Sequence, residues 1–410
     1  MNYVTAGTLR LPPRVHFGYG SRAQLSEVLR LHGRWVLAIV DPFLIETPIF
    51  RETITRLEAD GFHVAVHSDI SPELPTASLD AAAAFAREHA PDVILAIGGG
   101  SALDAAKLVG LLVTHGGPLS RYYGENLVPG PSLPLVAVPT TAGTGSEVTP
   151  VAVVSDPEHE MKVGISSPYL IPTAAIVDPE FTLGAPRSVT AFAGIDALVH
   201  AVESYTAARL EPSWDTTLPV FTGRNAFTES VALRAAEHLG SSLAAAVGDP
   251  GNRGAREEVA FGSLLAGVAF GATGTHLSHA LQYPIGAATK TPHGLGTGLL
   301  LPYVLRACLT DADADGEVAE RIAAIGGALG STAATTEARA RDAISSIVAL
   351  NRTIGVPASL QEIGITRPQL PRLAELASRS ARLIAIAPIP APPALLLDIL
   401  EHAYTGRSDS

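Results

Sequence analysis

The chain has 410 residues, 47% of them hydrophobic, which is enough apolar material for two packed cores and excludes a disordered polypeptide. Forty acidic residues against 28 basic ones give a formal charge of -12, which excludes a nucleic-acid backbone or an anionic membrane surface as the expected partner and favours a small molecule. A single cysteine, Cys308, excludes an internal disulfide framework and any Cys-based zinc site, so a metal here needs His, Asp or Glu ligands.

At the N-terminus, MNYVTAGTLRLPPR lacks the basic start and uninterrupted apolar run of a signal peptide, and no run of about 18 apolar residues occurs later. The cytoplasm is the expected compartment. Short apolar runs then alternate with segments of helical period. WVLAIV (35–40), FHVAVHS (62–68), DVILAIGGGS (92–101) and LPLVAVPTT (133–141) contain predicted strands, with crossover helices predicted over 46–60, 77–89 and 102–114. That order predicts βα units of a parallel sheet. VTPVAVVS (148–155) and KVGIS (162–166) flank the polar DPEHEM and predict a hairpin, and AAIVD (174–178) closes the set. After Pro186, Ala- and Leu-rich segments of helical period dominate, so an α/β domain (1–186) is expected to precede a helical domain (187–410), with ligands in the cleft between them. PIPAPPALLLDILEHAY predicts a proline-rich turn leading into a final helix.

The residues suited to chemistry lie at the ends of these runs. Asp41 follows the first predicted strand, where a carboxylate can accept from the hydroxyls of an adenosine ribose and repel a 2′-phosphate; an ordinary turn aspartate is the alternative. Gly98, Gly99, Gly100 and Ser101 join a strand to a helix, as a phosphate cradle or as a tight turn that needs glycine for geometry. Asp104 and Lys107 on that helix also fit an ordinary helix pair. A second loop gathers Thr140, Thr141, Thr144 and Ser146, hydroxyls that suit a dinucleotide or that cap their own backbone. Asp196 and His200 share one face of a mostly apolar helix. In THLSHALQYPIGAATKTPHG, His279 lies in a helical run that Pro284 and Gly286 are expected to end, and His293 begins another. Three imidazoles and one carboxylate suit Fe(II) or Zn(II); histidines packed in a core are the alternative. Arg224 and Asn225 in VFTGRNAFTE could bind a substrate carboxylate or phosphonate, or lie in an exposed loop.

GGGSALDAAK, PTTAGTGSEVT, DPEFT, GIDALVHAVESY and HALQYPIG followed by TPHG resemble, in order over residues 17–302, the blocks of the iron-containing (group III) alcohol dehydrogenases. The resemblance implies a Rossmann-like dinucleotide-binding domain followed by a C-terminal helical domain, the dehydroquinate synthase-like arrangement, and a homodimer. It assigns Asp196, His200, His279 and His293 as ligands of a divalent metal, Fe2+ in preference to Zn2+. It assigns Gly98, Gly99, Gly100, Ser101 and Asp104 to the pyrophosphate region, and Thr140, Thr141, Thr144, Ser146, Lys162 and Leu183 to other cofactor-lining positions. Asp41 matches the position associated with NAD over NADP. The family often has histidine four residues after the third ligand, on the proton path, whereas this chain has Tyr283, which becomes the catalytic candidate. His276 matches no family motif and is expected to play a structural part or to support the ligands from behind, not to bind metal. The implied reaction is hydride transfer between NAD and a small alcohol or hydroxy acid and its aldehyde or oxo form. The competing readings are sugar-phosphate cyclase (lyase) chemistry on the same fold, hydroxyacid-oxoacid transhydrogenase activity, and an inactive binding protein.

Overall fold

The computed structural model describes residues 6–71, 73–310 and 316–406. They form two compact units, Arg10–Ala185 and the chain from Pro186 onward, the latter joined by the N-terminal segment through Leu9. That segment therefore groups with the helical unit and not with the α/β residues that follow it. Gly7 allows this, because any side chain there would collide with Asn225.

Nine strands are described: β1 (Arg14–Phe17), β2 (Trp35–Val40), β3 (His63–His67), β4 (Val93–Gly98), β5 (Gly124–Glu125), β6 (Leu135–Pro139), β7 (Val151–Val154), β8 (Val163–Ser166) and β9 (Ala174–Val177). Six form a sheet in the order β1-β9-β6-β4-β2-β3, and every pairing in it is parallel. The remaining three form a small sheet, β5-β8-β7, in which β7 and β8 are the antiparallel hairpin expected from the sequence.

Helices α1 (Leu25–Arg30), α2 (Pro48–Ala59), α3 (Thr76–His89) and α4 (Gly100–His115) accompany the large sheet. Leu37, Ile39, Ile94 and Ala96 join one core with Leu79 and Ala82 of α3 and Leu103 and Leu108 of α4. Their neighbours in sequence, Val36, Ala38, Leu95 and Ile97, join a second core with Val28 of α1 and Phe50 and Leu57 of α2. Burial on both faces explains why these strands read as continuous apolar runs and not as alternating patterns. The unpredicted β1, RVHF, is an edge strand with exposed Arg14 and Val15, so it has no apolar run to announce it.

The second unit is helical: α5 (Arg187–Thr206), α6 (Ala226–Gly248), α7 (Arg253–Thr273), α8 (Leu277–Thr289), α9 (His293–Thr310), α10 (Glu317–Ala328), α11 (Thr336–Ile354), α12 (Leu370–Ser378), α13 (Ala381–Ala385) and α14 (Pro393–Thr405). At its centre α5 buries Ile195, Leu198, Val199 and Val202 and packs on α6, α7 and α9. The expected stop at Pro284 and Gly286 is corrected: α8 runs through both to Thr289 and ends at Lys290 in a left-handed conformation. A proline removes one backbone donor, but Ala280, Leu281, Gln282 and Ile285 around it are buried, and that packing sustains the helix. No single helix among the described residues is long and apolar enough to cross a membrane.

Candidate active site

In the α/β unit the chain runs from β2 outward to β3, then returns past β2 to β4 and continues to β6 and β9. The order therefore reverses between β2 and β4, and the carboxyl ends of strands at such a switch point form the ligand crevice of open parallel sheets. Asp41 stands at the end of β2 and Gly98 at the end of β4, so close that a Cβ on Gly98 would lie 3.0 Å from that of Asp41. One Asp41 oxygen accepts the Phe43 N–H at 3.1 Å. Gly99 is the N-cap of α4, with no side chain of its own to cap it, and Gly100 and Ser101 form the first turn. Their amides and the positive end of the helix dipole favour an anion.

The second loop leaves β6 beside the first. Thr140 N–H donates to the Gly98 carbonyl at 3.0 Å, a Cβ on Gly99 would meet Thr141 at 3.4 Å, and one on Gly100 would lie 2.7 Å from Thr144. Asp104 binds the two loops together: one oxygen accepts the Ser146 hydroxyl at 2.6 Å and the other the Val153 N–H at 2.9 Å. Burial pushes the Asp104 carboxyl up, opposed by Lys107 and these hydrogen bonds. Lys107 is itself buried and no exposed helix pair; its Nζ donates to the Thr149 and Val151 carbonyls at 2.9 and 2.8 Å, and desolvation brings it down to about 8. Lys162 pairs with Glu73 at 2.9 Å and is near enough to act on the Asp104 carboxyl. Leu183 closes the short turn after β9 through its N–H to the Glu180 carbonyl.

The second cluster lies in the helical unit. Asp196 and His200 are one turn apart on α5, His279 lies in the first turn of α8, and His293 begins α9. Nε2 of His279 and of His293 lie 3.9 and 3.8 Å from Asp196 Oδ1, and Nε2 of His200 lies 3.8 Å from Oδ2. Ligand atoms offered by Asp196, His279 and His293 fall within 4.8 Å of one another. A tetrahedral ion with bonds of about 2.1 Å sets its ligand atoms about 3.4 Å apart, so a small contraction suffices to close them on a metal.

The approach of α9 to α5 depends on glycine. A Cβ on Gly294 would collide with the Phe192 carbonyl and lie 2.8 Å from the Asp196 Cβ, and one on Gly298 would lie 2.6 Å from Ile195. Thr297, between them, donates its hydroxyl to Asp196 Oδ1 at 2.7 Å. Burial alone would raise the Asp196 carboxyl, but His200, His293, His279 and Thr297 outweigh it and hold it below its usual range. Burial, then the neighbouring His200, pushes His279 well below its ordinary value, so its imidazole is neutral. A neutral imidazole beside an ionised carboxylate is a metal-binding pair. His279 Nδ1 is hydrogen-bonded to Glu203 at 2.7 Å, whereas its buried Nε2 has no hydrogen-bond partner among the described residues. A buried polar atom without a partner is costly, and an ion between Nε2 and Asp196 would satisfy it; the residues fit the metal.

Tyr283, partly buried, stacks on His293 with ring centroids 6.1 Å apart. His276 is structural, as expected: its Nδ1 accepts the Leu277 N–H at 2.8 Å and its Nε2 bonds the Thr206 hydroxyl at 2.9 Å. Glu203, absent from the residues expected at the site, lies three residues beyond His200 on a helix where a buried acid demands partners. Arg224 is a correction on both counts. It is 4% exposed, not a loop surface residue, and it is paired with Glu229 at 3.0 Å and Glu317 at 2.5 Å, not offered to a substrate anion. Asn225 caps α6 through the Phe227 N–H.

Known proteins resemble the chain along nearly all of its length. Residues 12–179 match the model for iron-containing alcohol dehydrogenase, and 190–404 match that for the C-terminal part of the Fe-containing alcohol dehydrogenase family. Long-chain-alcohol dehydrogenase 1 of Geobacillus thermodenitrificans is 35% identical over 96% of both chains. The crystal structure of a 1,3-propanediol oxidoreductase superposes with a TM-score of 0.89 at 30% identity, covering 97% of this chain and all of its own. Sulfoacetaldehyde reductase from Bifidobacterium kashiwanohense, in complex with NAD+, does so with a TM-score of 0.81 at 26% identity, covering 98% and 99%. The chain belongs to the iron-containing alcohol dehydrogenase family and is an alcohol/aldehyde oxidoreductase of that family.

Proposed function

We propose that the chain uses NAD and one divalent metal ion, iron in preference to zinc, to interconvert a small primary alcohol or hydroxy acid and its aldehyde or oxo form. The observation that carries this reading is the buried Nε2 of His279, without a hydrogen-bond partner among the described residues and beside the Asp196 carboxylate, with His200 and His293 completing three nitrogens and one carboxylate. Such a donor set takes Fe(II) and Zn(II) alike, and availability selects between them. When bound, the ion supplies Lewis-acid polarisation of the substrate oxygen and NAD supplies the hydride acceptor. The protein's own residues bind and orient. Gly98, Gly99, Gly100 and Ser101 offer amides to the pyrophosphate; Thr140, Thr141, Thr144 and Ser146 form the adjoining wall, with Asp104, Lys162 and Leu183 supporting it. Asp41 accepts the ribose hydroxyls and disfavours NADP. Tyr283 Oη moves the proton that the alcohol loses, a role supported by its stacking on His293. A cytoplasmic homodimer belongs to the same reading, supported by the single cysteine and by the family resemblance.

The test is metal-stripped protein reconstituted anaerobically with Fe(II) or Zn(II) and assayed against neutral and acidic alcohols and aldehydes with NADH and NADPH. One ion per chain and one free NADH consumed per aldehyde reduced are expected. Cyclase and transhydrogenase chemistry would regenerate the nucleotide and leave free NADH unchanged, and that result would sink the reading. In the same assay Y283F should keep its metal and lose about 10²-fold or more in turnover. Near-normal turnover would remove Tyr283 from the mechanism.

A further inference from the structure

Glu203 is wholly buried, and its carboxylate serves α8 alone among the hydrogen bonds described. With Asp196 and His200 it falls at i, i+4 and i+7 of α5, a spacing that puts all three on one face. One oxygen accepts the His276 N–H at 2.8 Å and bonds His279 Nδ1 at 2.7 Å; the other accepts the Ser278 N–H at 2.6 Å. These three donors make up the opening turn of α8, where backbone N–H groups have no partner within the helix. Both oxygens of that carboxylate accept backbone N–H groups, so with the carboxylate acting as acceptor throughout, the hydrogen on the shared nitrogen is His279's, and that imidazole is the Nδ1–H tautomer. Its Nε2 is then a lone pair, buried without a hydrogen-bond partner among the described residues and 3.9 Å from Asp196 Oδ1.

We propose that Glu203 is a positioning residue for the metal site: it fixes the His279 tautomer and ring plane, and seats the start of α8, so that Nε2 faces the ion. The inference rests on the metal-site reading of Asp196, His200, His279 and His293. It goes beyond that reading by giving a carboxylate outside the ligand set the task of making one ligand competent. A metal-bound histidine whose second nitrogen is held by a carboxylate is oriented and made more basic, and loss of such a partner typically weakens metal binding 10- to 100-fold. The same helix start has a second support that spares His279. His276 Nε2 bonds the Thr206 hydroxyl, which donates to the Val202 carbonyl at 2.8 Å.

The experiment uses the full-length, metal-stripped protein with Zn2+ as the probe. Zinc affinity is measured by chelator competition for wild type, E203Q, T206V and H279A, and histidine tautomers are read by 15N NMR of selectively labelled apo protein. In E203Q the amide N–H2 must face at least one of the three donors, whichever way it is placed. The expected result is a 10- to 100-fold weaker zinc complex for E203Q, with T206V within about threefold of wild type although its melting temperature falls. Wild-type apo His279 should be protonated at Nδ1 only. A folded E203Q that binds zinc within threefold of wild type, or T206V that loses as much affinity as E203Q, overturns the proposal. If E203Q does not fold, the wild-type tautomer decides, and a proton on Nε2 overturns it. Failure of the underlying reading looks different: wild type takes up no zinc, or H279A binds it as tightly, whatever the tautomer.

Discussion

Two buried acids show how position sets the chemistry of a residue. Asp196 is held ionised by the histidines and the threonine around it, whereas Glu147, buried in the 139–149 loop, is pushed by desolvation up to about 7 with only partial opposition from its own backbone and Lys107. Its ordinary value is 4.5, so between these limits the folded chain holds a proton that the unfolded chain has released. Stability contributed by this group therefore rises as pH falls from about 7 towards 4.5, and the burial penalty is fully present above that window. Measured against E147Q, which does not titrate, wild type should gain on the order of 3 kcal/mol across that interval in denaturant unfolding. A constant difference between the two proteins at pH 7 and pH 5 would show that Glu147 does not titrate there. The identity of Asp196 and His200 as a pair was legible from their spacing alone. The apolar helix marked Glu203 as an acid in need of partners but not which ones, because they lie 73 to 76 residues away.

Helix α9 is held against α5 by what it lacks. Gly294 and Gly298 face α5, and Gly296 faces Gln282 of α8, so the helix that carries His293 touches both neighbours through its backbone. G294A should cost about 1–3 kcal/mol, since the added methyl meets a backbone carbonyl that cannot rotate away. It should also weaken metal binding by displacing His293. Gly327 is the control, an exposed glycine in α10 with nothing within 4 Å of an added Cβ, where alanine should be neutral or stabilising by up to about 1 kcal/mol. Equal effects at the two sites, measured by thermal unfolding and zinc titration, would refute the packing argument. Periodicity located α8 and α9 but misjudged the end of α8, because Pro284 and Gly286 are local stop signals and the burial that overrides them comes from other helices.

At the scale of the molecule, each unit carries its own core and its own set of candidate ligand contacts. Dinucleotide should therefore protect the amides of the β4–α4 and 139–149 loops, and zinc those of α5, α8 and α9, in hydrogen exchange. Saturation at about 100 times Kd adds about 2.7 kcal/mol to the unit that binds, and chelation of the metal should remove that gain from the helical unit. Protection by zinc confined to the α/β unit would contradict the assignment. The sequence by itself determined the two-part architecture, the parallel sheet and the candidate residues for binding a nucleotide or a metal. Apolar period, glycine placement and ligand type are local properties, and the family blocks preserve them in order. Only the tertiary structure decided how each polar group is used. It left His279 Nε2 without a hydrogen-bond partner among the described residues while satisfying both nitrogens of His276, paired Arg224 with two glutamates, and turned Asp104 to its own loops. Burial makes partners obligatory, and the partners come from segments that packing alone brings together.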